Sequence, residues 1–256
     1  MASLSCEALV LWVAGYPKQA VARCERSMDH ARASAHAMTL AFASIYASML
    51  HQWLGRDEAA AAFAADALRI SSEQGLTFWS AVAALCRNAA ESKSRPSQDA
   101  IAGIEDALRS WEATGARAPI SYFRFHFAAA LARADRTSRA MLLVNQAIAE
   151  LGDERFYEAE LHRLKGELTL QSAREVASES GAEAEDCFMR ALATARRQNA
   201  KAFELRAARS LAALWHQTGR TPQAKQLLHE ICGWFTEGFD TADLKEAKAL
   251  LDELSR

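Results

Sequence analysis

The residue types that carry most enzyme and metal chemistry are scattered through this sequence without a recognisable spacing. The seven histidines form no H-E-x-x-H pair, and none stands at zinc-ligand spacing from a cysteine. The five cysteines include no C-x-x-C pair, and each falls in a helical apolar pattern. These features favour buried free thiols in a reducing compartment over a disulfide framework or a zinc site. The sequence therefore predicts no catalytic residues, no metal and no cofactor.

An undetected hydrolase is the least favoured alternative, because a Ser–His–Asp or Cys–His set meets only in the folded chain. No nucleophile stands in a strand–turn–helix elbow, and no G-x-x-x-x-G-K-[ST] loop is present to bind phosphates. A cluster of titratable groups with perturbed pKa values in a closed pocket would favour this alternative.

Two clusters of side chains are candidates for recognition instead. The aromatic cluster is Tyr122, Phe123, Phe125 and Phe127. Its members spread around a predicted helix. We expect them to be buried between the third, fourth and fifth helical hairpins of the repeat described below, with an exposed peptide-binding patch as the alternative. The basic cluster is Arg196, Arg197, Lys201, Arg206 and Arg209. Here a solvated or salt-bridged face is expected, and a site for an acidic peptide or carboxylate is the alternative.

The elements that must position these residues follow from an internal repeat. Six segments begin with an alanine that is followed by small or apolar residues four, seven and eight positions later. The leading alanines are Ala20, Ala60, Ala100, Ala140, Ala184 and Ala224, and the intervals between them are 40, 40, 40, 44 and 40 residues. Such offsets place the residues on one face of an α-helix. Each segment is therefore predicted to be the second helix of a hairpin, closely approached by a neighbouring helix.

Residues that tolerate a left-handed backbone mark the predicted helix ends. They are Gly15, Gly55, Asp135 and Gly219 after the first helices, and Gly75, Gly115 and Asn199 after the second helices. The dipeptide Arg95-Pro96 supplies the turn of the third hairpin. A longer turn near 178–181 is expected to account for the one interval of 44 residues.

The predicted fold is an all-α, right-handed superhelical solenoid of about six tetratricopeptide-like hairpins followed by a capping helix. Residues 1–234 hold the six hairpins, at approximately 1–34, 35–75, 76–115, 116–152, 153–199 and 200–234. Residues 235–256 hold the capping helix, with Asp240 as its N-cap and Phe239 packed on Leu244 as a hydrophobic staple.

Charge and hydropathy exclude several classes of protein. A formal net charge of −2 argues against a protein that binds nucleic acid along its whole length. No apolar run reaches the ~18 residues of a membrane span, and the N-terminus lacks the pattern of a signal peptide. We therefore expect a cytoplasmic location, no membrane partner and little role for nucleic acid.

Four stretches carry a resemblance to a known family: FYEAELHRLKGEL at 156–168, GWFTEGFDTADLKEA at 233–247, GLTFW at 75–79 and WEATGAR at 111–117. They resemble the tetratricopeptide tails of bacterial signalling proteins in which a class III adenylate/guanylate cyclase domain or a DNA-binding domain precedes a STAND-like ATPase. The resemblance implies a regulatory tail without the nucleotide chemistry of those preceding domains.

The predicted function is recognition of a peptide, a protein partner or another domain of a parent signalling protein. By analogy with tetratricopeptide repeats, the concave groove lined by the first helices would hold the contacts. The candidate residues are Phe42, Ile45, Met49, Tyr122, Phe125, His162, Arg206, Arg209 and His216. The alternatives are a regulatory domain of a transcriptional activator and a module that self-associates through a first hairpin with no obvious polar cap.

Overall fold

The computed structural model describes residues 2–116, 119–173 and 179–255. Within these ranges the chain is entirely helical, with thirteen α-helices and no strand. The helices are α1 (Ala2–Val13), α2 (Pro17–Ala33), α3 (Ala37–Trp53), α4 (Asp57–Glu73), α5 (Thr77–Ser94), α6 (Gln98–Glu112), α7 (Ile120–Arg133), α8 (Thr137–Ala149), α9 (Glu158–Ser172), α10 (Glu179–Arg197), α11 (Lys201–Gln217), α12 (Thr221–Trp234) and α13 (Ala242–Glu253). Odd-numbered helices from α1 to α11 are the first helices of hairpins, and the even-numbered ones are the second helices.

The repeat positions form the seam of each hairpin, as predicted. All six leading alanines are buried, and so are the residues four and seven positions after each of them. The eighth position is less uniform, since Leu68, Ile148 and Cys232 are only partly covered. Small side chains at the start of each second helix let the first helix approach closely, while larger ones further along fill the widening gap.

The helix ends use the left-handed backbone that the sequence predicts. All seven predicted positions have positive φ, including Asp135 at 56° and Asn199 at 54°. The structure adds Ala35, whose φ of 50° occupies the same register position as Gly75 in the next hairpin. An alanine there is strained, because its Cβ crowds the following carbonyl in this conformation.

Two local predictions are wrong. Of the segment 178–181, Glu179, Ser180 and Gly181 lie in the first turn of α10 rather than in a turn, and Ser178 lies outside the described residues. At the last helix the N-cap is Thr241, whose hydroxyl donates to the carbonyl of Gly238. Asp240 therefore does not cap α13, and Phe239 is 61% exposed instead of packed on Leu244.

The chain divides into two compact units, the first carrying α1 to α6 and the second α7 to α13, with Val13–Gly15 grouped with the second. In the first unit α3 packs against both α4 and α5. Two first-helix side chains bond to backbone carbonyls of neighbouring helices. Ser48 Oγ donates to the carbonyl of Ala60 in α4 at 2.8 Å, and Gln52 Nε2 donates to that of Cys86 in α5 at 2.7 Å.

In the second unit each first helix packs on the next, α7 on α9, α9 on α11, and α11 on α13. Helix α13 also packs on α12 and so covers the last hairpin with its apolar side, where Leu244 and Ala247 are buried. The core of this end combines Phe188, Leu211 and Leu228 with those residues. First helices are thus contacted by their partners and by neighbouring first helices, which explains why their apolar residues cover more than one face.

The five cysteines are free thiols, but they are not all buried. Cys24, Cys86 and Cys187 lie in the core, Cys232 is partly covered and Cys6 is exposed. Burial raises the pKa of the Cys24 thiol to about 11, with the Glu25 carboxylate adding to the effect. The apolar pattern around Cys6 therefore did not predict its position on the outer side of α1.

None of the helices in the described ranges combines the length and the apolar character that crossing a bilayer requires.

Candidate recognition surface

Charged side chains of the first helices α9 and α11 and of the capping helix α13 meet in the second unit. We call this set the charged strip. Its members are Glu160, Arg163 and Glu167 on α9, Arg206 and Arg209 on α11, and Asp243 and Glu246 on α13. On each helix they stand three or four residues apart, which places them on one face. Because α9, α11 and α13 pack side by side, these faces adjoin.

The buried centre of the charged strip is Glu160, whose side chain is 1% exposed. Arg163, one turn further along α9, donates to both carboxylate oxygens from Nε at 2.7 Å and from Nη2 at 3.0 Å. Arg206 of α11 donates to the same carboxylate from Nη1 at 3.3 Å. One carboxylate thus joins two guanidinium groups from two helices.

Arg206 continues the strip to α13. Its Nε donates to both oxygens of Asp243 at 3.0 Å, and its side chain is 14% exposed. One turn further along, Arg209 pairs with Glu246. The outer members are open to solvent, since Glu167 and Glu246 are 42% and 59% exposed.

These contacts fix the charges of the strip. Burial by itself raises the pKa of Glu160, but the guanidinium groups of Arg163 and Arg206 outweigh it, so the pKa of this carboxyl is lowered. Burial opposes the charge of Arg163 and Arg206 too, yet the neighbouring carboxylates raise the pKa of both groups. The centre of the strip therefore stays fully ionised at neutral pH.

The basic cluster predicted from the sequence is salt-bridged throughout. Arg196 and Lys201 both contact Glu204, at 2.8 and 2.7 Å, and Arg197 lies 3.4 Å from Glu158. With Arg206 and Arg209 in the charged strip, every member of the cluster has a carboxylate partner. The expected salt-bridged face is confirmed, and the alternative of an open site for an acidic ligand has no unpaired arginine to support it.

The aromatic cluster is buried, as expected. Tyr122, Phe123, Phe125 and Phe127 are all in the core. Tyr157 at the start of α9 links this cluster to the next hairpin, since its ring centroid lies 5.3 Å from that of Tyr122, 4.9 Å from Phe125 and 5.3 Å from Phe203 of α11. The rings meet edge to face, an arrangement that aromatic pairs favour. The alternative of an exposed aromatic patch is therefore wrong.

The nine predicted groove residues divide by exposure. Ile45, Met49, Tyr122 and Phe125 are buried, so in this conformation they support the surface from below. Phe42 is half-buried and stacks on Tyr46 with ring centroids 4.4 Å apart. His162, Arg206, Arg209 and His216 are half-buried in the second unit. Whether any of the nine contacts a partner stays a prediction.

The two predicted histidines lie in different surroundings. Burial lowers the pKa of His162, and the positive charges of Arg190 and Lys165 lower it further against the opposing effect of Glu158 and Asp186. His216 lies at the end of α11, where its Nδ1 is 3.0 Å from the hydroxyl of Thr221. Across the described part of the chain, no three His, Cys, Asp or Glu side chains are placed to hold a metal ion.

Sequence reasoning missed the buried carboxylate at the centre of the charged strip. The spacing of Glu160 and Arg163 was a usable signal, because residues three apart on a helix can pair. The partner on α11 gave none, since Arg206 lies 46 positions from Glu160 in the sequence. A carboxylate that is buried between apolar helices needs a partner of this kind.

Comparison with known proteins identifies a related fold but no family for this chain. No protein-family model and no curated protein sequence matches the chain. Among solved structures, the one described as NprR in complex with its cognate peptide NprX matches with a TM-score of 0.68 at 11% identity. The match covers 99% of this chain and 70% of that one. At this identity the likeness concerns the backbone alone, and with the thirteen helices in hairpins it identifies a tetratricopeptide-like helical repeat fold.

Proposed function

We propose that this chain is a regulatory scaffold that binds a peptide or a segment of a partner protein, and that it performs no catalysis of its own. The observation that carries the proposal is the adjoining face of α9, α11 and α13 in the second unit, where the charged strip is held rigidly by buried ion pairs. Its outer carboxylates, Glu167 and Glu246, remain accessible. A prearranged polar surface of this kind gives a partner specificity at a low cost of ordering.

The fold likeness supports the same proposal. The solved structure with this repeat fold, NprR, is described in complex with its cognate peptide. First helices that pack side by side offer an elongated surface, which suits an extended or helical peptide better than a compact metabolite.

A narrower proposal concerns the parent system. We infer that the chain serves as the sensor or regulatory tail of a signal-transduction ATPase or cyclase, on the support of the sequence stretches at 156–168 and 233–247. The coding sequence beside this stretch tests the inference directly. Finding a nucleotide-binding loop or a cyclase domain in the same reading frame is the expected result, and its absence would contradict this narrower proposal alone.

Peptide selection followed by quantitative binding tests the broader proposal. Peptides selected from a random display library on the full chain would be labelled and titrated by fluorescence anisotropy. Because Tyr122 and Phe125 are buried, substitutions at the accessible positions are the sharper test. Arg209→Glu combined with Glu167→Gln, two accessible members of the charged strip, is expected to weaken binding about tenfold, corresponding to ~1.4 kcal/mol.

The matched control is Arg109→Glu, which reverses an equally charged side chain on the second helix α6 of the first unit, where Arg109 pairs with Asp106 at the surface. Equal thermal stability of both variants is required for the comparison. Unchanged binding in the double variant, or equal weakening in the control, would show that the ligand does not contact the charged strip.

Self-association is a second candidate, favoured by one observation. Val10 on α1 is 64% exposed, while the other side of that helix is buried. Light scattering over a range of concentrations tests this candidate. A mass that rises with concentration, and that Val10→Lys returns to that of a monomer, is the expected result; a strictly monomeric chain would contradict it.

A further inference from the structure

A groove opens in the first unit between the second helices α4 and α6, with the C-terminal half of α5 as its floor. Its volume is about 650 Å³, within the range of ligand-binding clefts. Arg87 and Asn88 of α5, Glu58 of α4, and Asp99 and Gly103 of α6 are among the residues that line it. None of its lining residues belongs to the charged strip or to the nine residues predicted from the sequence to contact a partner.

The Asn88 side chain is the first feature that needs explaining. The residue is 8% exposed, and its amide makes no hydrogen bond to any residue in the described part of the chain. Neither polar atom of the amide is enclosed, so solvent in the groove satisfies it. The amide presents one N–H donor pair and one carbonyl acceptor toward the groove. A ligand that offers an acceptor and a donor side by side would satisfy both.

Gly103 is the second feature, and it is coupled to the first. It stands in the interior of α6, where glycine is less favourable than alanine by ~1 kcal/mol. A Cβ at this position would lie 2.7 Å from Asn88 Nδ2 and 2.9 Å from Asn88 Oδ1. The glycine therefore leaves room for the amide of Asn88 at the edge of the groove, at a cost in helix propensity.

Arg87 lines the same groove but offers no accessible Nε donor. This atom is enclosed, and Glu91 Oε1 lies 3.5 Å away as its ion-pair partner. A ligand in the groove therefore pairs with the amide of Asn88. Peptide backbone carries carbonyl and N–H groups at the spacing that a side-chain amide pairs with.

The charges around the groove indicate which side chains the peptide would carry. Asp57 is neutralised by Lys93, whose Nζ lies 2.9 Å from its carboxylate, and Glu91 is paired with Arg87. Glu58 and Asp99, on opposite walls, make no ion pair with any described residue, and both are exposed. They outnumber the single unpaired cation of the lining, Arg95. The groove therefore favours a ligand with a positive side chain.

We propose that the groove between α4 and α6 binds an extended peptide segment carrying a lysine or arginine, with the amide of Asn88 paired to one peptide unit of its backbone. Glu58 and Asp99 receive the cationic side chain. This site is separate from the surface under Proposed function, so either can be disproved without the other.

Nuclear magnetic resonance titration of the isotope-labelled full chain tests the proposal. The probes are the peptides acetyl-Ala-Lys-Ala-amide and acetyl-Ala-Glu-Ala-amide, with spermidine as a cation that lacks a peptide backbone. The expected result is that the lysine peptide shifts resonances of α5 and α6, including the side-chain amide of Asn88. The glutamate peptide and spermidine are expected to bind at least about fivefold more weakly.

Two variants locate the effect. Asn88→Leu keeps the size of the side chain and is expected to weaken the lysine peptide about 5- to 10-fold, because one or two hydrogen bonds are lost. The melting temperature should change little, because the amide makes no hydrogen bond to a described residue that the substitution would remove. Glu58→Gln with Asp99→Asn changes only exposed groups and should remove the preference for lysine over glutamate. Its matched control is Glu183→Gln with Asp252→Asn, two exposed carboxylates in the second unit.

Several results would overturn the proposal. Equal affinity of the lysine and glutamate peptides would exclude recognition of a basic side chain. Spermidine binding as strong as that of the lysine peptide, unaffected by Asn88→Leu, would show a simple cation site. Should Asn88→Leu fail to fold, an unchanged preference in the Glu58→Gln/Asp99→Asn variant would still disprove the role of the acidic walls.

Discussion

The ring of Phe188 in α10 lies directly against the backbone of Gly166 in α9, where a Cβ atom would come within 2.5 Å of Phe188 Cε1. Phe188 is fully buried, and it stands four residues after Ala184, the leading alanine of its hairpin. The two positions together bring α9 and α10 into close contact over one turn. Glycine at 166 is therefore required by packing rather than by backbone conformation.

Gly166→Ala is expected to destabilise the chain by about 1–3 kcal/mol, because the added methyl group forces Phe188 out of its place. The improvement in helix propensity offsets only ~1 kcal/mol of this cost. Denaturant unfolding followed by circular dichroism measures the difference. Gly233→Ala is the matched control, since a Cβ there meets nothing within 4 Å inside α12. It should leave stability unchanged or raise it; a loss equal to that of Gly166→Ala would contradict the packing argument.

Ala35 and Gly75 occupy the same position of consecutive hairpins, with φ of 50° and 66°. Ala35→Gly should stabilise the chain by about 0.5–1 kcal/mol, because glycine adopts this backbone without strain. Gly75→Ala should destabilise it by a similar amount, although the new methyl group has open space around it. Thermal unfolding of both variants measures the pair, and a change of the same sign in both would show that strain at this position does not decide stability.

The leading alanines test the register of the repeat. Ala60, Ala140 and Ala184 have no exposed surface. Replacing any one of them by leucine is expected to cost on the order of 1–3 kcal/mol, because the seam between the two helices of the hairpin would be overpacked. Chemical unfolding of the three single variants measures the cost. Neutral results at all three positions would be incompatible with the close helix approach described above.

The ion pairs of Glu160 predict a dependence on acid. Its folded pKa is lowered below the ordinary value of 4.5, so the ionised form contributes stability in full above pH 4.5. That contribution is lost as the pH falls from 4.5 through the lowered folded value. Glu160→Gln should therefore show a flatter fall of the free energy of unfolding in this window than the unmodified chain.

At neutral pH the same variant should be destabilised on the order of 3 kcal/mol, because two buried guanidinium groups lose their shared carboxylate. Glu73→Gln is the control, since Glu73 pairs with Arg69 where both side chains are more than half exposed. Little change is expected there at any pH. An acid profile of Glu160→Gln that parallels the unmodified chain would show that this carboxylate does not contribute to acid sensitivity.

Much of the fold could be predicted from the sequence because the information is local and repeated six times. The alanine spacing identified the second helices, and the left-handed residues identified helix ends, Asp135 that of a first helix and Asn199 that of a second. The last helix showed the limit of this reasoning. Asp240 precedes an amphipathic run and has the right side chain for an N-cap, but it lies in a turn in which the Thr241 N–H donates to the carbonyl of Gly238. Thr241 is therefore the N-cap.

The candidate sites were harder to predict, since they depend on contacts between residues far apart in the chain. Arg206 reads as one member of a basic run, and only the packing of α13 on α11 shows that Asp243 neutralises it. Tyr122 and Phe125 read as excess aromatics on one helix until Tyr157 of the next hairpin covers them. Asn88 gives no signal in the sequence, because only its missing partner distinguishes it.

The hydrogen bonds of Ser48 and Gln52 bear on how neighbouring helices hold their position along their axes. A seam of alanines is smooth, so two helices packed through it could slide by one turn, about 5.4 Å, and still bury similar side chains. Ser48 on the carbonyl of Ala60 and Gln52 on that of Cys86 allow one setting only, because a slide would leave both polar groups buried without partners. Apolar burial thus sets how closely α3, α4 and α5 approach. The two polar side chains fix the position of each helix along the axis of its neighbour.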